Sequence, residues 1–116
     1  MIKSASDFIA EARQVCRCLD ITDAKQLADT AENVIILDVR EPHEAAESKL
    51  EASINIPRGL LEMKVQNHCC EPDSLILIHC AAGGRATLAT ARLQEMGYTN
   101  VHAITAKFED IKKAFR

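Results

Sequence analysis

The sequence lacks the features of membrane proteins and of nucleic-acid-binding proteins. Its two aliphatic runs, Val34–Leu37 and Leu75–Ile78, have four residues each, far short of the 18 or so that span a bilayer. The net charge is only −3, and the densest positive stretch, Lys107–Arg116, contains four bases and two acids. Such a stretch is typical of a solvated helix rather than of a basic binding patch. We therefore expect neither a membrane nor a nucleic acid as a partner.

The sequence also lacks the features of a secreted or a disordered protein. Five cysteines are an odd number, which does not suit a disulfide framework. The first 13 residues contain no apolar stretch of signal-peptide length, so we expect a cytoplasmic protein with reduced thiols. The 116 residues are 47% hydrophobic, which is enough for a core within one domain over 1–116 and too apolar for disorder.

Short aliphatic segments alternate with helical patterns along the chain. Strands are predicted near 18–21, 34–39, 53–56, 75–80 and 101–104. The helices are predicted within 1–17, entered near Ser4 or Ser6, and then at 22–30 with Thr22 or Asp23 as the N-cap, 41–50, 59–66, 86–96 and, within 105–116, at 108–115. Strands that alternate with helices predict parallel βαβ units. The expected fold is a three-layer α/β/α sandwich around a parallel sheet of about five strands.

One cysteine lies where such a fold places its ligands. Cys80 closes the predicted strand at 75–80, and the carboxyl ends of parallel strands are where ligands bind. It is followed by Ala81, Ala82, Gly83 and Gly84, and then by Arg85 near the start of a helix. Such a loop can direct backbone N–H groups inward, and the helix N-terminus favours an anion. We therefore predict that Cys80 is a thiolate nucleophile and that Arg85 binds an anionic substrate. The alternative is a small buried residue beside an ordinary tight turn.

The segment 80–85, with the sequence CAAGGR, resembles the active-site loop of the rhodanese-like sulfurtransferases. Segments 37–44, 54–57 and 93–101 resemble other segments of that family in the same order, so the likeness covers about residues 18–104. Four residues separate Cys80 from Arg85. Protein phosphatases with the same kind of cysteine loop have one residue more, so the resemblance implies sulfur chemistry rather than phosphate chemistry.

The resemblance implies a two-step mechanism. Cys80 attacks the outer sulfur of a small anionic donor, such as thiosulfate or a persulfide or polysulfide, and becomes a persulfide. Cyanide, a small thiol or a protein thiol then removes that sulfur. The N–H groups of residues 81–85 hold the persulfide, and Arg85 holds the donor. No metal and no organic cofactor is expected.

The residues around this loop leave alternatives open. Asp38 and Arg40 match positions that are structural or line the site, and an internal ion pair is the favoured interpretation. Arg58 either lies at the rim of the site or is a solvated arginine. Many family members that use thiosulfate carry a cation where this chain has Ala81. The family also often has Gly-Gly where this chain has Ala106 and Lys107. A sulfur carrier or partner-binding module with little turnover is therefore the second hypothesis.

The remaining titratable residues carry weaker signals. The cysteines at 16, 18, 69 and 70 lack the Cys-x2-Cys spacing of zinc sites and are predicted to be ordinary thiols. A thiol redox protein, in which Cys69 or Cys70 resolves a modified Cys80, is a third hypothesis. His79 is predicted to pack on the opposite face of its strand from Cys80. The acidic residues Glu41, Glu44, Glu47 and Glu51 are predicted to form the solvated face of a helix.

Overall fold

Five short parallel strands form one sheet at the centre of the protein. The structure is a computed structural model and describes residues 1–115. The strands are β1 (Arg17–Leu19), β2 (Ile35–Asp38), β3 (Ser53–Asn55), β4 (Ile76–His79) and β5 (Val101–Ile104), and their order across the sheet is β1-β5-β4-β2-β3. The α-helices are α1 (Ala5–Val15), α2 (Ile21–Thr30), α3 (Pro42–Glu47), α4 (Leu61–Lys64), α5 (Gly84–Met96) and α6 (Phe108–Ala114), and 3-10 turns flank α4 at Arg58–Leu60 and Val65–Asn67.

The central strands are buried on both faces, because their aliphatic side chains alternate between two helical layers. Ile76 and Ile78 pack on the side of α4 and α5, whereas Leu77 packs on the side of α2 and α6. Each fully buried aliphatic side chain contributes about 1.5–3 kcal/mol to the free energy of folding. The predicted α/β/α sandwich with five parallel strands is therefore confirmed.

Some helix boundaries differ from the predicted ones, because capping residues decide where a helix begins. Helix α2 begins at Ile21, and its N-cap is Asp20, whose carboxylate accepts the N–H of Asp23 at 2.8 Å. The predicted N-caps, Thr22 and Asp23, lie inside the first turn. Helix α5 begins at Gly84, two residues earlier than predicted, and ends as predicted before Gly97.

The predicted helices at 41–50 and at the C-terminus are shorter in the structure. Helix α3 ends at Glu47, because Ser48 is already extended. Helix α6 begins at Phe108, so 105–107 form the connection from β5, and Phe115 is its C-cap. The last residue of the predicted C-terminal segment, Arg116, lies outside the described residues.

Candidate active site

The thiol of Cys80 lies at the carboxyl end of β4, inside the loop that leads into α5. Its Sγ accepts backbone N–H bonds from Gly83 at 3.0 Å and from Ala86 at 3.3 Å, and the side chain is 1% exposed. Ala86 was not among the predicted site residues, 81–85. Its N–H is one of the unpaired groups in the first turn of α5, which begins earlier than the sequence indicated. Two N–H donors and the positive end of a helix stabilise an anionic sulfur here.

The loop depends on its two glycines. Gly83 has φ +108°, a conformation that side chains disfavour, and an added Cβ would lie 3.2 Å from the Cα of Thr105. An added Cβ on Gly84 would lie 3.0 Å from the Cδ1 of Ile9 in α1. The loop is therefore held between the end of β5 and the N-terminal helix, and there is little space for a larger residue at either position.

The guanidinium of Arg85 forms a two-point ion pair with Glu44 of α3. Its Nη1 donates to Oε1 at 2.7 Å, and its Nη2 donates to Oε2 at 3.1 Å. The hydrogen bonds from Arg85 lower the pKa of Glu44 to about 2, and the same hydrogen bonds raise the pKa of Arg85. The prediction that Glu44 belongs to a solvated helix face was wrong, because its carboxylate is half-buried against the active-site loop. Any anionic ligand of Arg85 would have to compete with Glu44 for these two nitrogens.

Asp38 and Arg40 form a buried ion pair beside the loop. The Arg40 guanidinium donates to both carboxylate oxygens of Asp38, at 2.7–3.2 Å, and to the carbonyl of Ser48 at 2.7 Å. Asp38 is fully buried and Arg40 is 4% exposed. This is the internal ion pair that the sequence favoured. The Arg40 side chain thus connects Asp38, at the end of β2, with Ser48, which follows α3. Helix α3 contains Glu44.

The face of the sheet opposite Cys80 contains an aromatic stack. His79 stacks on Phe108 at 5.8 Å between ring centroids, and the Arg40 guanidinium lies 3.8 Å from the centroid of the Phe108 ring. Neither ring nitrogen of His79 has a well-formed hydrogen bond within residues 1–115. Burial, and to a lesser degree the charge of Arg40, lower the pKa of His79 to about 4, although Asp38 opposes the shift. His79 is thus a packed residue on the face away from Cys80, as predicted.

A depression of about 510 Å³ lies beside the loop. Its wall includes α6, because the N–H of Phe108 donates to the carbonyl of Ala81 at 2.9 Å. The charges around it are mixed. Two cations line it, Arg40, which is paired with Asp38, and Lys107, together with three glutamate carboxylates. The lining residues are Arg40, Glu44, Glu47, Ser48, Ala81, Ala82, Lys107, Phe108 and Glu109.

Arg58 lies elsewhere. Its Nη1 donates to Glu62 at 3.2 Å, and its side chain lines a separate groove between α1 and α5. The same carboxylate contacts Arg92 of α5 at 3.4 Å. The geometry therefore favours a structural role for Arg58 over a place at the rim of the site.

Cys69 and Cys70 precede β4 and therefore lie at the amino end of the strand that has Cys80 at its carboxyl end. Cys69 is buried, and its carbonyl accepts the hydroxyl of Tyr98, whereas Cys70 is exposed. Since the two cysteines and Cys80 lie at opposite edges of the sheet, the structure does not bring them together. It gives no support to the hypothesis that either one resolves a modified Cys80.

Within residues 1–115, no group of three or more His, Cys, Asp or Glu side chains is placed to hold a metal ion. In the same part of the chain, no helix has both the length and the apolar character needed to cross a bilayer.

Comparison with known proteins identifies the family to which this fold belongs. The family model described as the rhodanese-like domain matches residues 20–114. The chain belongs to the rhodanese-like family. The match extends through α6, ten residues past the predicted limit of the likeness, and it leaves α1 outside. The rhodanese-like domain is thus joined to an N-terminal helix that packs on α5 and on the active-site loop.

Relatives of this rhodanese-like domain are named as sulfurtransferases. A sulfurtransferase from Allochromatium vinosum is 31% identical over 78 residues, which cover 67% of this chain and 70% of that protein. The thiosulfate:glutathione sulfurtransferase of Saccharomyces cerevisiae is 32% identical over 89 residues, and this chain covers 64% of it. A Rhodopseudomonas palustris structure of unknown function, described as a possible tyrosine phosphatase, superposes over 98% of this chain and 92% of its own, with a TM-score of 0.83 and 28% identity.

Proposed function

We propose that this rhodanese-like domain is a sulfurtransferase in which Cys80 carries the sulfur as a persulfide. The observation that carries the proposal is the pair of N–H bonds from Gly83 and Ala86 to a single buried sulfur at a helix N-terminus. Such a cradle stabilises a thiolate before the reaction and the persulfide anion after it. The proposal places this chemistry in the cytoplasm, where the five free thiols remain reduced.

In the first step, the Cys80 thiolate attacks the outer sulfur of the donor. A sulfur–sulfur bond forms to Cys80, and the bond within the donor breaks, so that thiosulfate leaves as sulfite and a persulfide leaves as a thiolate. In the second step, cyanide or a thiolate attacks the outer sulfur of the Cys80 persulfide, and the Cys80 thiolate is restored. The backbone N–H groups of the loop stabilise the negative charge of the Cys80 thiolate and of its persulfide in this ping-pong cycle.

The donor that this site accepts best follows from its charges. The two terminal nitrogens of Arg85 are occupied by Glu44, and position 81 is alanine rather than a cation. The depression also contains the carboxylates of Glu47 and Glu109. These features disfavour a dianion such as thiosulfate and favour a donor of lower charge, such as the persulfide of a small thiol.

The occupied Arg85 and the mixed charges around the depression also favour a second candidate function, a sulfur carrier that exchanges sulfur with a protein thiol. A partner protein can contribute its own hydrogen-bond donors to the mixed charges around the depression, and it then has no need of the occupied Arg85. The carrier forms the same Cys80 persulfide but releases sulfur slowly to cyanide or to small thiols.

The test is the intact mass of the reduced protein after brief exposure to thiosulfate and, separately, to a small-molecule persulfide. We expect the gain of one sulfur atom, faster with the persulfide, followed by its loss on adding cyanide. Cys80→Ser should abolish the gain, whereas the matched control Cys70→Ser should retain it, since Cys70 is exposed and lies at the other edge of the sheet. A persulfide that forms but resists cyanide would identify the carrier. No gain from either donor, together with hydrolysis of a phosphate monoester, would refute both candidates.

A further inference from the structure

Two thiols outside the active site lie close together on one surface. Cys16 is the C-cap of α1, and Cys18 is the middle residue of β1. Because the backbone from Cys16 into β1 is extended, residues two apart project to the same side. Their Sγ atoms are 3.9 Å apart, and both side chains are partly exposed.

The surroundings of this pair, which we call the Cys16–Cys18 dithiol, contain oxygen atoms from α5. The Sγ of Cys16 lies 3.8 Å from the carbonyl oxygen of Thr87, and the Sγ of Cys18 lies 4.0 Å from its hydroxyl oxygen. Burial and the neighbouring Cys18 raise the pKa of Cys16 to about 12, and the charge of Arg13 opposes the shift only weakly. Two thiolates so close together repel each other, and a bound cation would relieve that repulsion.

A disulfide does not suit this backbone. Forming one would bring the sulfurs from 3.9 Å to about 2.05 Å and the Cβ atoms to about 3.8 Å. Side chains two residues apart along an extended strand are farther from each other than that, since each residue advances the chain by about 3.3 Å. Strand β1 is held extended by its pairing with β5, in which Cys18 lies opposite Ala103. Oxidation would therefore have to pull β1 away from the sheet.

The separation does suit two ligands of one cation. With metal–sulfur bonds of about 2.3 Å, sulfurs 3.9 Å apart subtend an angle of about 115° at the metal, between the trigonal and tetrahedral values. We propose that the Cys16–Cys18 dithiol binds a soft monovalent cation, Cu(I), with an exogenous thiol as the third ligand. Three S–H bonds break, two in the dithiol and one in the exogenous thiol, and three Cu–S bonds form. The three protons pass to the solvent without any change of oxidation state.

The choice of Cu(I) over Zn(II) follows from the number of ligands. Structural zinc is almost always four-coordinate, whereas within residues 1–115 the dithiol has no third His, Cys, Asp or Glu placed to complete a metal site. Thiolates are soft ligands and select soft cations such as Cu(I). The oxygens of Thr87 are hard donors and add little to this preference.

The test is a competition for Cu(I) between the reduced protein and a chromogenic Cu(I) chelator, with one equivalent of a small thiol present. The Cys80→Ser variant serves as the parent protein, because it lacks the thiol of the candidate active site, which could otherwise bind Cu(I) as well. Cys16→Ser and Cys18→Ser are compared on this background with the control Cys70→Ser. Thermal unfolding of each variant without metal shows whether the fold is intact. Cys18→Ala provides an apolar variant at the position that packs against the core.

We expect the parent and the Cys70→Ser control to retain one Cu(I) per chain and to show ultraviolet thiolate-to-copper absorption. Loss of second-shell partners alone weakens metal sites by about 10- to 100-fold, so loss of either ligand should weaken binding by at least about tenfold. Unchanged affinity in the double variant Cys16→Ser/Cys18→Ser would overturn the proposal. Zn(II) bound as tightly as Cu(I) would overturn the choice of cation.

Discussion

The protonation of His79 is expected to make the stability of the protein depend on pH in a way that one substitution removes. His79 is fully buried, and its pKa is lowered to about 4 from the ordinary histidine value of 6.5. Above pH 6.5 the ring is neutral in the folded and in the unfolded chain. Below pH 6.5 the ring binds a proton in the unfolded chain but stays neutral in the folded chain. The unfolding free energy therefore falls with falling pH until the pH is below about 4, the pKa of His79 in the folded protein.

The magnitude follows from the two pKa values. The lowered pKa of His79 changes the unfolding free energy by about 3 kcal/mol in total. About 2 kcal/mol of this stability is lost between about pH 7 and about pH 5. His79→Leu keeps the contact with Phe108 apolar and removes two unpaired ring nitrogens, so we expect it to lose this part of the pH dependence and to be at least as stable as the native protein near neutral pH.

The assay is urea unfolding at the two pH values, with the change in unfolding free energy compared between variants. His43→Leu is the matched control, because His43 is exposed in the folded protein. Its pH dependence should equal that of the native protein. If His79→Leu loses as much stability between the two pH values as His43→Leu does, the buried ring of His79 does not carry the effect and the reasoning is wrong.

Three further substitutions test the site. Gly83→Ala should lower the unfolding free energy by about 1–2 kcal/mol, because φ is +108°, and should slow sulfur loading, because the added Cβ meets Thr105. Gly97→Ala is the matched control, since φ is +113° there and nothing lies within 4 Å of the added Cβ. It should lower the unfolding free energy by a similar amount and leave the sulfur loading of the folded protein unchanged. Glu44→Gln should lower the KM for thiosulfate about fivefold, the equivalent of about 1 kcal/mol, by releasing Arg85, whereas Glu47→Gln, which lines the same depression, should change it less. Asp38→Asn should lower the unfolding free energy by about 3 kcal/mol or more, measured by urea unfolding, because Arg40 keeps its charge in a buried position; a loss under 1 kcal/mol would contradict this.

The sequence was sufficient to predict the sheet and the position of Cys80 within it. The aliphatic runs before Asp38 and His79 are short, are buried on both faces, and end in polar residues, which is typical of central parallel strands. Cys80 follows one of them directly and is succeeded by two glycines, so its place at the carboxyl edge followed from local order alone.

The partners of the site could not be predicted, because they depend on contacts between distant segments. Glu44 has the spacing of a solvated helical residue, and only the packing of α3 against α5 brings it to Arg85. The N–H of Ala86 donates to the Sγ of Cys80 because α5 begins at Gly84. A backbone donor of this kind leaves no trace in the pattern of side chains.

The loop around Cys80 is shaped by residues from both ends of the chain. Ile9 of α1 faces Gly84, and Phe108 of α6 donates its N–H to the carbonyl of Ala81. During synthesis, Cys80 therefore leaves the ribosome well before its wall can form. Until α6 follows, the loop around Cys80 lacks the hydrogen bond from Phe108 to Ala81. A chain truncated before Phe108 would keep Cys80 but would lose the part of the wall that α6 supplies.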